Sequence, residues 1–363
     1  MNVIQKIKRG LAPIIGQTIL HTAPHHDDIV LGYYAYAIRN FASNRNHILY
    51  MTNGSNGVSN AYLLQLLKNI HDNSLWYYQV DLFAIDYQTS IRDFAQAYKA
   101  GDEQQMEQSR QAIFLQIIID VFRLQTLEQL RHAIDWVSDY CANNHRTQQA
   151  DDQLIIRLKG RVRQSESDCK WMISKASVDG VRHFDAQFYY DDTAAALQQD
   201  VCNFVTYLHQ VQPDVITVAM DPCGVGPQSH FATLQVIAQA LQLYNNPDIK
   251  IIGYRNVWSS FLLERASILV PVTEQEIMTM QSIFIHCFAS QHAPLRPSPM
   301  HEGLFSDAAA LLQRHNFYDL QEIVAAHHGA DGNVLDGYAG LILLQEYSMR
   351  DLMPVVQLSD HAM

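Results

Sequence analysis

The chain lacks a cysteine framework. It has only five cysteines, scattered as Cys141, Cys169, Cys202, Cys223 and Cys287, and no two of them have CxxC spacing. An odd number of scattered cysteines excludes a fully paired disulfide scaffold and is typical of reduced thiols in a protein core. We therefore expect a protein of a cytosol-like compartment, the cytoplasm.

The chain also lacks long apolar runs and an excess of positive charge. No uninterrupted apolar run reaches the about 18 residues that a membrane helix needs, so we expect no membrane span. Lys and Arg number 25 against 37 Asp and Glu, which gives a formal net charge of −12. That balance argues against non-specific binding to nucleic acid or to an anionic membrane.

The length and the apolar content allow one large domain or two modest ones, because 48% of the 363 residues are apolar. No internal repeat or low-complexity tract stands out, and no linker rich in Pro, Gly or Ser divides the chain. We predict a single domain over residues 1–363.

Short apolar runs alternate with helical patterns along much of the chain. Spacings of three and four between apolar residues indicate amphipathic helices over residues 197–211 and 231–241. The runs themselves are typical of buried parallel strands and cover residues 18–23, 47–52, 181–184, 214–219, 250–254 and 267–271. This alternation predicts an α/β fold with a Rossmann-like, doubly wound, mostly parallel sheet.

Two stretches depart from this alternation. Residues 60–153 show helical stripes and no convincing strand, and residues 113–124 are apolar nearly all round. We interpret residues 60–153 as a helical insertion after the second strand, with a separate helical domain as the alternative. Residues 300–363 also show mainly helical patterns and predict a C-terminal helical extension.

Two imidazoles and two carboxylates crowd the turn that follows the first strand, where the chain reads Pro24-His25-His26-Asp27-Asp28. In an α/β fold this turn lies at the carboxyl end of a strand, where ligands bind. His25 and Asp28 can share one divalent cation, and Asp27 can then accept a proton from water. The alternative is that an aspartate caps the following helix and the histidines lie on the surface.

A third metal ligand would have to come from elsewhere, because a catalytic zinc site normally has three protein ligands and one open position. Residues 221–230 directly follow the strand over 214–219, and His230 opens the next helix. Neighbouring parallel strands would bring His230 and His25 together. Alternatively, His230 is only a polar residue in the first turn of a helix, where a cation is mildly unfavourable.

Several residues are candidates for binding a substrate. Arg163, predicted with Glu166 at the start of a helix, can donate to substrate hydroxyls or to a phosphate, although their spacing alone favours an exposed ion pair. Asn53, Asp185 and Arg255 each follow a predicted strand. Each of these three can equally be an ordinary loop residue.

Together these pieces resemble the PIG-L/LmbE-type deacetylases, which are zinc-dependent enzymes that hydrolyse N-acetyl groups on amino sugars. The family motif P-H-P-D-D corresponds to residues 24–28, and T-[DN]-G corresponds to residues 52–54. The motif R-x-x-E corresponds to residues 163–166, and the late G-x-G-H-P-D-H-like segment to residues 224–230. The match looks most like the deacetylase-type domain of glucosamine-6-phosphate deaminase-like proteins.

The resemblance implies that His25, Asp28 and His230 bind one zinc ion and that Asp27 is the general base. Zinc lowers the pKa of a bound water toward about 7, so that an acetamide can be hydrolysed to acetate and a free amine. Iron, manganese or cobalt also suits two histidines and one aspartate. Arg163 and Asp185 become the sugar-contacting candidates.

The partner implied by the resemblance is a small-molecule amino sugar of the N-acetylglucosamine type, phosphorylated or not. Nucleic acid and membranes are not expected as partners, and a homo-oligomer remains open. The rival hypotheses are a degenerate family member that binds metal and sugar, or a protein, without turnover, and a metal hydrolase of another amide or an ester.

The sequence departs from the family pattern at three places. His26 replaces a proline, and Gly32-Tyr33 stands where two glycines often follow the aspartates. Pro227 replaces a histidine that, in the family, helps to stabilise the oxyanion or to protonate the leaving amine. Proline can do neither, and the candidates to replace this histidine are His286, His292 and Gln228.

Overall fold

The chain folds into two units in a computed structural model that describes residues 2–72, 83–84, 86–144, 152–174, 180–221, 224–293, 301–328 and 334–352. The first unit comprises Met1–Thr52, Asp179–Phe284 and Pro297–Met363. The second comprises Asn53–Val178 and Ile285–Arg296.

Helices and strands alternate along the chain. The strands are β1 (Thr18–Ala23), β2 (Arg45–Tyr50), β3 (Val181–His183), β4 (Val215–Ala219), β5 (Lys250–Tyr254), β6 (Ile268–Val272) and β7 (Gly340–Tyr347). The helices are α1 (Val3–Leu11), α2 (Asp28–Phe41), α3 (Asn60–Asp72), α4 (Tyr87–Ala100), α5 (Glu103–Phe122), α6 (Leu127–Asn144), α7 (Gln153–Ile173), α8 (Ala194–Val211), α9 (Gln228–Tyr244), α10 (Glu274–Cys287) and α11 (Phe305–His328). Short 3₁₀ turns lie at Ser55–Gly57, Gln187–Tyr189 and Ala289–Gln291.

The first unit contains a seven-stranded sheet in the order β3-β2-β1-β4-β5-β7-β6. The pairs β3–β2, β2–β1, β1–β4 and β4–β5 are parallel, whereas β7 is antiparallel to both β5 and β6. The predicted α/β fold with a mostly parallel, doubly wound sheet is therefore confirmed. The chain reverses its direction of winding between β1 and β4, which is where ligands bind in such sheets.

The apolar patterns explain why these elements form. Every residue of β4 is buried, as expected for a strand covered on both faces. Helix α8 begins at the N-cap Thr193, whose hydroxyl accepts a hydrogen bond from the Ala196 N–H, and it buries Phe204 and Leu208. These two side chains join one core cluster with Leu20 of β1 and with residues of β4 and α9.

A kink in α2 adapts the helix to the sheet beneath it. Tyr33 has non-helical backbone angles, and its hydroxyl lies 2.7 Å from the Thr217 hydroxyl and 3.1 Å from Nδ1 of His21. A Cβ atom on Gly32 would lie 2.6 Å from the ring of Tyr254, so this position requires glycine. The Gly32-Tyr33 pair is thus fitted to close packing between α2 and β5.

Two predictions about the last strands were wrong. The run over 267–271 forms β6, but β6 pairs only with the antiparallel β7 among the described strands and ends the sheet, where its Pro271 is tolerated. The region after residue 300 is helical over Phe305–His328, but β7 is a strand because its apolar residues 341–344 complete the core between β5 and β6. Residues 329–333 and 353–363 lie outside the described part.

The second unit is built from α3–α7, as the helical patterns of residues 60–153 predicted. This unit also contains α7 and residues 285–296, which lie outside the predicted insertion. The run over 113–124 is buried only in part, since residues 113–118 and Val121 are buried whereas Asp120 and Arg123 are exposed. Helix α7 buries charged side chains as well as apolar ones, among them Lys159, Arg163, Glu166, Asp168 and Lys170.

Not all of the described cysteines lie in the core. Cys141, Cys169 and Cys287 are buried, whereas Cys202 is exposed on α8, and Cys223 lies outside the described residues. The prediction of core thiols was therefore wrong for Cys202. Within the described ranges, no helix combines the length and the apolar character needed to cross a membrane.

We expect Gly10→Ala to destabilise the first unit. Helix α1 packs on β6 so closely that a Cβ atom on Gly10 would overlap the backbone carbonyl of Leu269. Forcing the helix away should lower the free energy of unfolding by about 1–3 kcal/mol, measured by urea denaturation. At Gly180 the nearest atom to an added Cβ is 3.6 Å away, so Gly180→Ala is the matched control, and equal midpoints for the two variants would contradict the packing argument.

We expect Lys170→Met to stabilise the protein more at pH 7 than at pH 10. Burial lowers the pKa of Lys170 well below its usual value near 10.5, so the folded protein binds fewer protons here than the unfolded chain. Stability therefore rises with pH at this site, and the cost of burying the amine vanishes toward pH 10.5. Urea midpoints should show a gain for the variant at pH 7 that shrinks by pH 10, with exposed Lys68→Met unchanged; a constant gain would contradict the pKa argument.

Candidate metal centre

The three predicted metal ligands come together at the edge of the sheet where β1 and β4 end. The two strands are parallel neighbours, with Leu20 opposite Ile216 and His21 opposite Thr217. The turn after β1 carries His25 and leads directly into α2. The segment after β4 leads to His230, which lies in the first turn of α9.

The ligand atoms of His25, Asp28 and His230 all lie within 4.8 Å of one another. Nδ1 of His25 is 3.0 Å from Nε2 of His230. The Asp28 oxygens lie 3.8 Å from His25 Nδ1 and 3.7 Å from His230 Nε2. Asp28 and His230 are buried and His25 is half-buried, so one side of the cluster faces solvent.

These separations fit a metal ion. In a tetrahedral zinc site with bonds of about 2.0–2.1 Å, neighbouring ligand atoms lie about 3.3 Å apart. The 3.0 Å separation of the two imidazole nitrogens is that of an N–H···N hydrogen bond when one of them carries a proton, and a metal ion bound by both lone pairs would take the place of that proton. The donor set therefore fits a divalent cation, although the identity of the metal stays a prediction.

A second shell of hydrogen bonds orients the two imidazoles. Asp221 is fully buried and accepts a hydrogen bond from Nδ1 of His230 at 2.7 Å, which leaves Nε2 as the ligand atom. Asn256 fixes Asp221 in turn, since its backbone N–H and its side-chain amide donate to the two carboxylate oxygens at 3.4 and 3.1 Å. Nε2 of His25 lies 3.0 Å from the Ser229 hydroxyl, which leaves Nδ1 to face the cluster.

The electrostatics of the cluster favour a positive charge at its centre. Burial raises the pKa of Asp28 to about 7; Asp27 adds to the shift and His230 opposes it. Burial alone would lower the pKa of His230, but Asp28 and Asp221 raise it to about 9. Both shifts express one fact, that the buried carboxylates hold a cation on His230. A metal ion would take the place of that proton.

Asp27 lies beside the ligands at the start of α2. It is buried, and it occupies the N-cap position without a capping hydrogen bond from its side chain. The interpretation of Asp27 as an ordinary helix cap therefore fails. Its charge acts on both Asp28 and His230, so it stands within electrostatic range of the cluster.

His26, which replaces the proline of the family motif, packs away from His25. It is fully buried, with Nε2 3.1 Å from Nδ1 of His183 and its ring stacked on Tyr50 at 4.6 Å. The side chain therefore points toward β2 and β3, whereas His25 points toward the end of β4. The substitution is accommodated without displacing a ligand.

Asp185 and Arg255, two of the predicted substrate residues, also lie in the first unit. Asp185 follows β3, is exposed and accepts a hydrogen bond from the Tyr190 hydroxyl. Arg255 follows β5, donates to Ser259 at 3.0 Å and lines a cavity of about 20 Å³. Their contact with a substrate stays a prediction.

Arg163 and Asn53 belong to the second unit, where they have local partners. Arg163 was predicted at the start of a helix, but α7 begins ten residues earlier, after the N-cap Asp152. The ion pair with Glu166 was expected to be exposed, yet both side chains are buried, with Nη1 and Oε2 2.7 Å apart. Asn53 is buried and accepts a hydrogen bond from the Ser55 N–H. Their binding of sugar stays a prediction.

Pro227 is the N-cap residue of α9, and it offers no donor from its side chain. Of the candidates to replace the family histidine, Gln228 is exposed in the first turn of α9. His286 and His292 belong to the second unit, where His286 packs against Tyr98 and His292 donates to the Ile285 carbonyl at 2.8 Å. A role for any of them in catalysis stays a prediction.

Comparison with known proteins leaves the function to be argued from the site. No protein-family model matches the chain, and no curated protein matches it either. Among solved structures, the chain is similar to GalB, the 4-carboxy-2-hydroxymuconate hydratase from Pseudomonas putida KT2440, with 10% sequence identity and a TM-score of 0.44. This likeness covers 91% of the chain and 95% of the hydratase, and at so low a score it carries no functional argument.

Sequence reasoning missed the residues that support the ligands. Asp221 comes two residues after the end of β4, so the strand-end rule that singled out His25 and Asp28 could also have found it. Asn256 also follows a strand end, two residues after β5, but its role depends on Asp221, 35 positions away, and that of Ser229 depends on His25, 204 positions away.

We expect Asp221→Asn to weaken metal binding about 10- to 100-fold, because an amide accepts the His230 N–H less well than a carboxylate. The dissociation constant can be measured by competition with a chromophoric zinc chelator. Asp214→Asn, at the other end of β4, is the matched control and should keep the wild-type affinity. An unchanged affinity in Asp221→Asn would show that this carboxylate does not support a ligand.

Proposed function

We propose that the protein is a metal-dependent hydrolase that removes an N-acetyl group from an amino sugar. The observation that carries the proposal is the convergence of His25, Asp28 and His230 within 4.8 Å, with the carboxylate of Asp27 beside them. A cluster with only a structural role would not need the charge of Asp27 beside the buried carboxylates of Asp28 and Asp221. A hydrolase needs such a carboxylate, because the attacking water must lose a proton.

The residues of the chain divide the work. His25, Asp28 and His230 would hold the metal, with Asp221 and Ser229 fixing the two imidazoles. When bound, the metal would supply Lewis-acid polarisation of the acetamide carbonyl and acidify water. Asp27 takes the proton from the attacking water as the C–O bond forms. The same carboxyl then gives the proton to the nitrogen as the C–N bond breaks, which yields acetate and a free amine.

We propose zinc as the metal and an N-acetylglucosamine-type sugar as the substrate, because the motifs that contain these residues resemble those of the PIG-L/LmbE-type deacetylases. On this proposal the chain is a divergent member of that family. The buried thiols of Cys169 and Cys287 support a reducing compartment, the cytoplasm, as the place of action.

Pro227 favours a second candidate function, a protein that binds metal and sugar without turnover. Removing one oxyanion donor costs about 10²–10³ in rate in well-studied enzymes. The side chain of Pro227 offers no such donor at the start of α9. In this case the protein would bind zinc and an amino sugar but release no acetate.

We expect the zinc-loaded protein to release acetate from N-acetylglucosamine, and Asp27→Asn to lower kcat by about 10²–10⁴, because an amide cannot accept the proton of water. An enzyme-coupled acetate assay measures both rates. Zinc content should remain at one ion per chain in Asp27→Asn and fall in His230→Ala, which separates loss of the base from loss of the metal.

Asp248→Asn is the control, since Asp248 is exposed and precedes β5 at the opposite end of the sheet. It should keep the wild-type rate. Full activity of Asp27→Asn would show that Asp27 is not the general base. If the wild-type protein binds zinc but releases no acetate, the second candidate function, binding of metal and sugar without turnover, is supported instead.

A further inference from the structure

The loop that follows β3 brings aromatic rings to the candidate metal centre. The ring of Tyr189 meets the ring of His25 edge-on, with 6.5 Å between centroids. Tyr190 packs edge-on against Tyr189 at 5.7 Å, and 49% of its surface is exposed. Two adjacent aromatic rings, one of them half exposed, thus stand next to a predicted metal ligand.

Hydrogen bonds to α8 fix the position of this loop. Asp200 of α8 is almost fully buried, and its two carboxylate oxygens accept the N–H groups of Gln187 and Phe188 at 2.9 Å. Asp185 has a left-handed backbone (φ 54°) and accepts a hydrogen bond from the Tyr190 hydroxyl. Both tyrosine rings are therefore positioned by buried or local contacts before any ligand binds, which is what a binding surface requires.

The same loop carries negative charge and no positive charge. It reads Asp185 to Asp192, and Asp185, Asp191 and Asp192 are all exposed. The nearest arginine in the sequence is Arg182 in β3. Its charge acts on His47 and Tyr207 and, beside the larger effect of burial, works to lower the pKa of both groups. A phosphate group bound at this loop would be repelled by the carboxylate of Asp185, which contacts Tyr190, and by the other two exposed carboxylates of the loop.

We infer that Tyr189 and Tyr190 form the platform on which the substrate ring stacks, and that the loop selects an unphosphorylated amino sugar over its phosphate ester. Pyranose rings present apolar C–H faces that pack on aromatic rings, and their hydroxyls can donate to carboxylates such as Asp185. The inference rests on the proposed function for the identity of the sugar. Of the two substrates left open, N-acetylglucosamine and its phosphate ester, it selects the unphosphorylated sugar.

The test is sugar binding rather than turnover. Zinc-loaded Asp27→Asn protein is titrated calorimetrically with N-acetylglucosamine and with N-acetylglucosamine 6-phosphate. We expect the neutral sugar to bind about tenfold more tightly, because of the three nearby carboxylates. Adding Asp191→Asn and Asp192→Asn should reduce that preference without weakening the neutral sugar.

Tyr190→Leu in the same background should weaken the neutral sugar about fivefold, since it removes the stacking face. Tyr190→Phe keeps the ring and should restore most of the affinity. Tyr318→Leu removes an exposed tyrosine of α11 and is the matched control. These comparisons separate a stacking role from a general effect on folding.

Three results would overturn the inference: equal or tighter binding of the 6-phosphate, unchanged affinity in Tyr190→Leu, or no sugar binding with or without zinc. The proposed function is judged separately by acetate release from the wild type. Binding of the neutral sugar without acetate release would contradict the proposed deacetylase reaction and would still support the platform formed by Tyr189 and Tyr190.

Discussion

The structure depends on the parallel pairing of β1 with β4, which places two imidazole nitrogens 3.0 Å apart where the direction of winding reverses. A proton or a metal ion can join these two nitrogens, and Asp28 and Asp221 supply negative charge that favours a cation there. Burial of these carboxylates makes the site costly unless it is filled by a proton or a metal ion. The fold thus produces a site at the carboxyl ends of β1 and β4 that favours a bound cation.

Local patterns were enough to predict this arrangement because each part of it lies close to a strand end. The bounds of β1 and β5 agree with the apolar runs, and the rule that ligands bind at carboxyl ends of parallel strands led to His25, Asp28 and His230. The antiparallel strand β7 escaped prediction, because its partners β5 and β6 lie about 70 or more residues earlier and a buried apolar run alone does not distinguish a strand from a helix.

Burial of charge is the property that the sequence conveyed least well. The spacing of Arg163 and Glu166 is that of an ordinary surface ion pair, yet both lie inside the second unit, because the backbone N–H and hydroxyl of Ser290 complete the hydrogen bonds of Glu166. That partner is 124 residues away. The same limit applies to Asp221, whose position could be read from the strand end but whose pairing with Asn256 could not.

The replacement at Pro227 affects rate and ligand geometry differently. Pro227 lies at the N-cap of α9 with φ −65°, three residues before His230, and its fixed backbone angle suits the start of a helix. A proline here keeps the turn that presents His230, although it removes a side-chain donor. The proposed metal site therefore would not need a histidine at this position. On the proposed function, Asp27 would both take and return the proton, so the missing donor would cost stabilisation of the oxyanion and would lower the rate without disturbing the site.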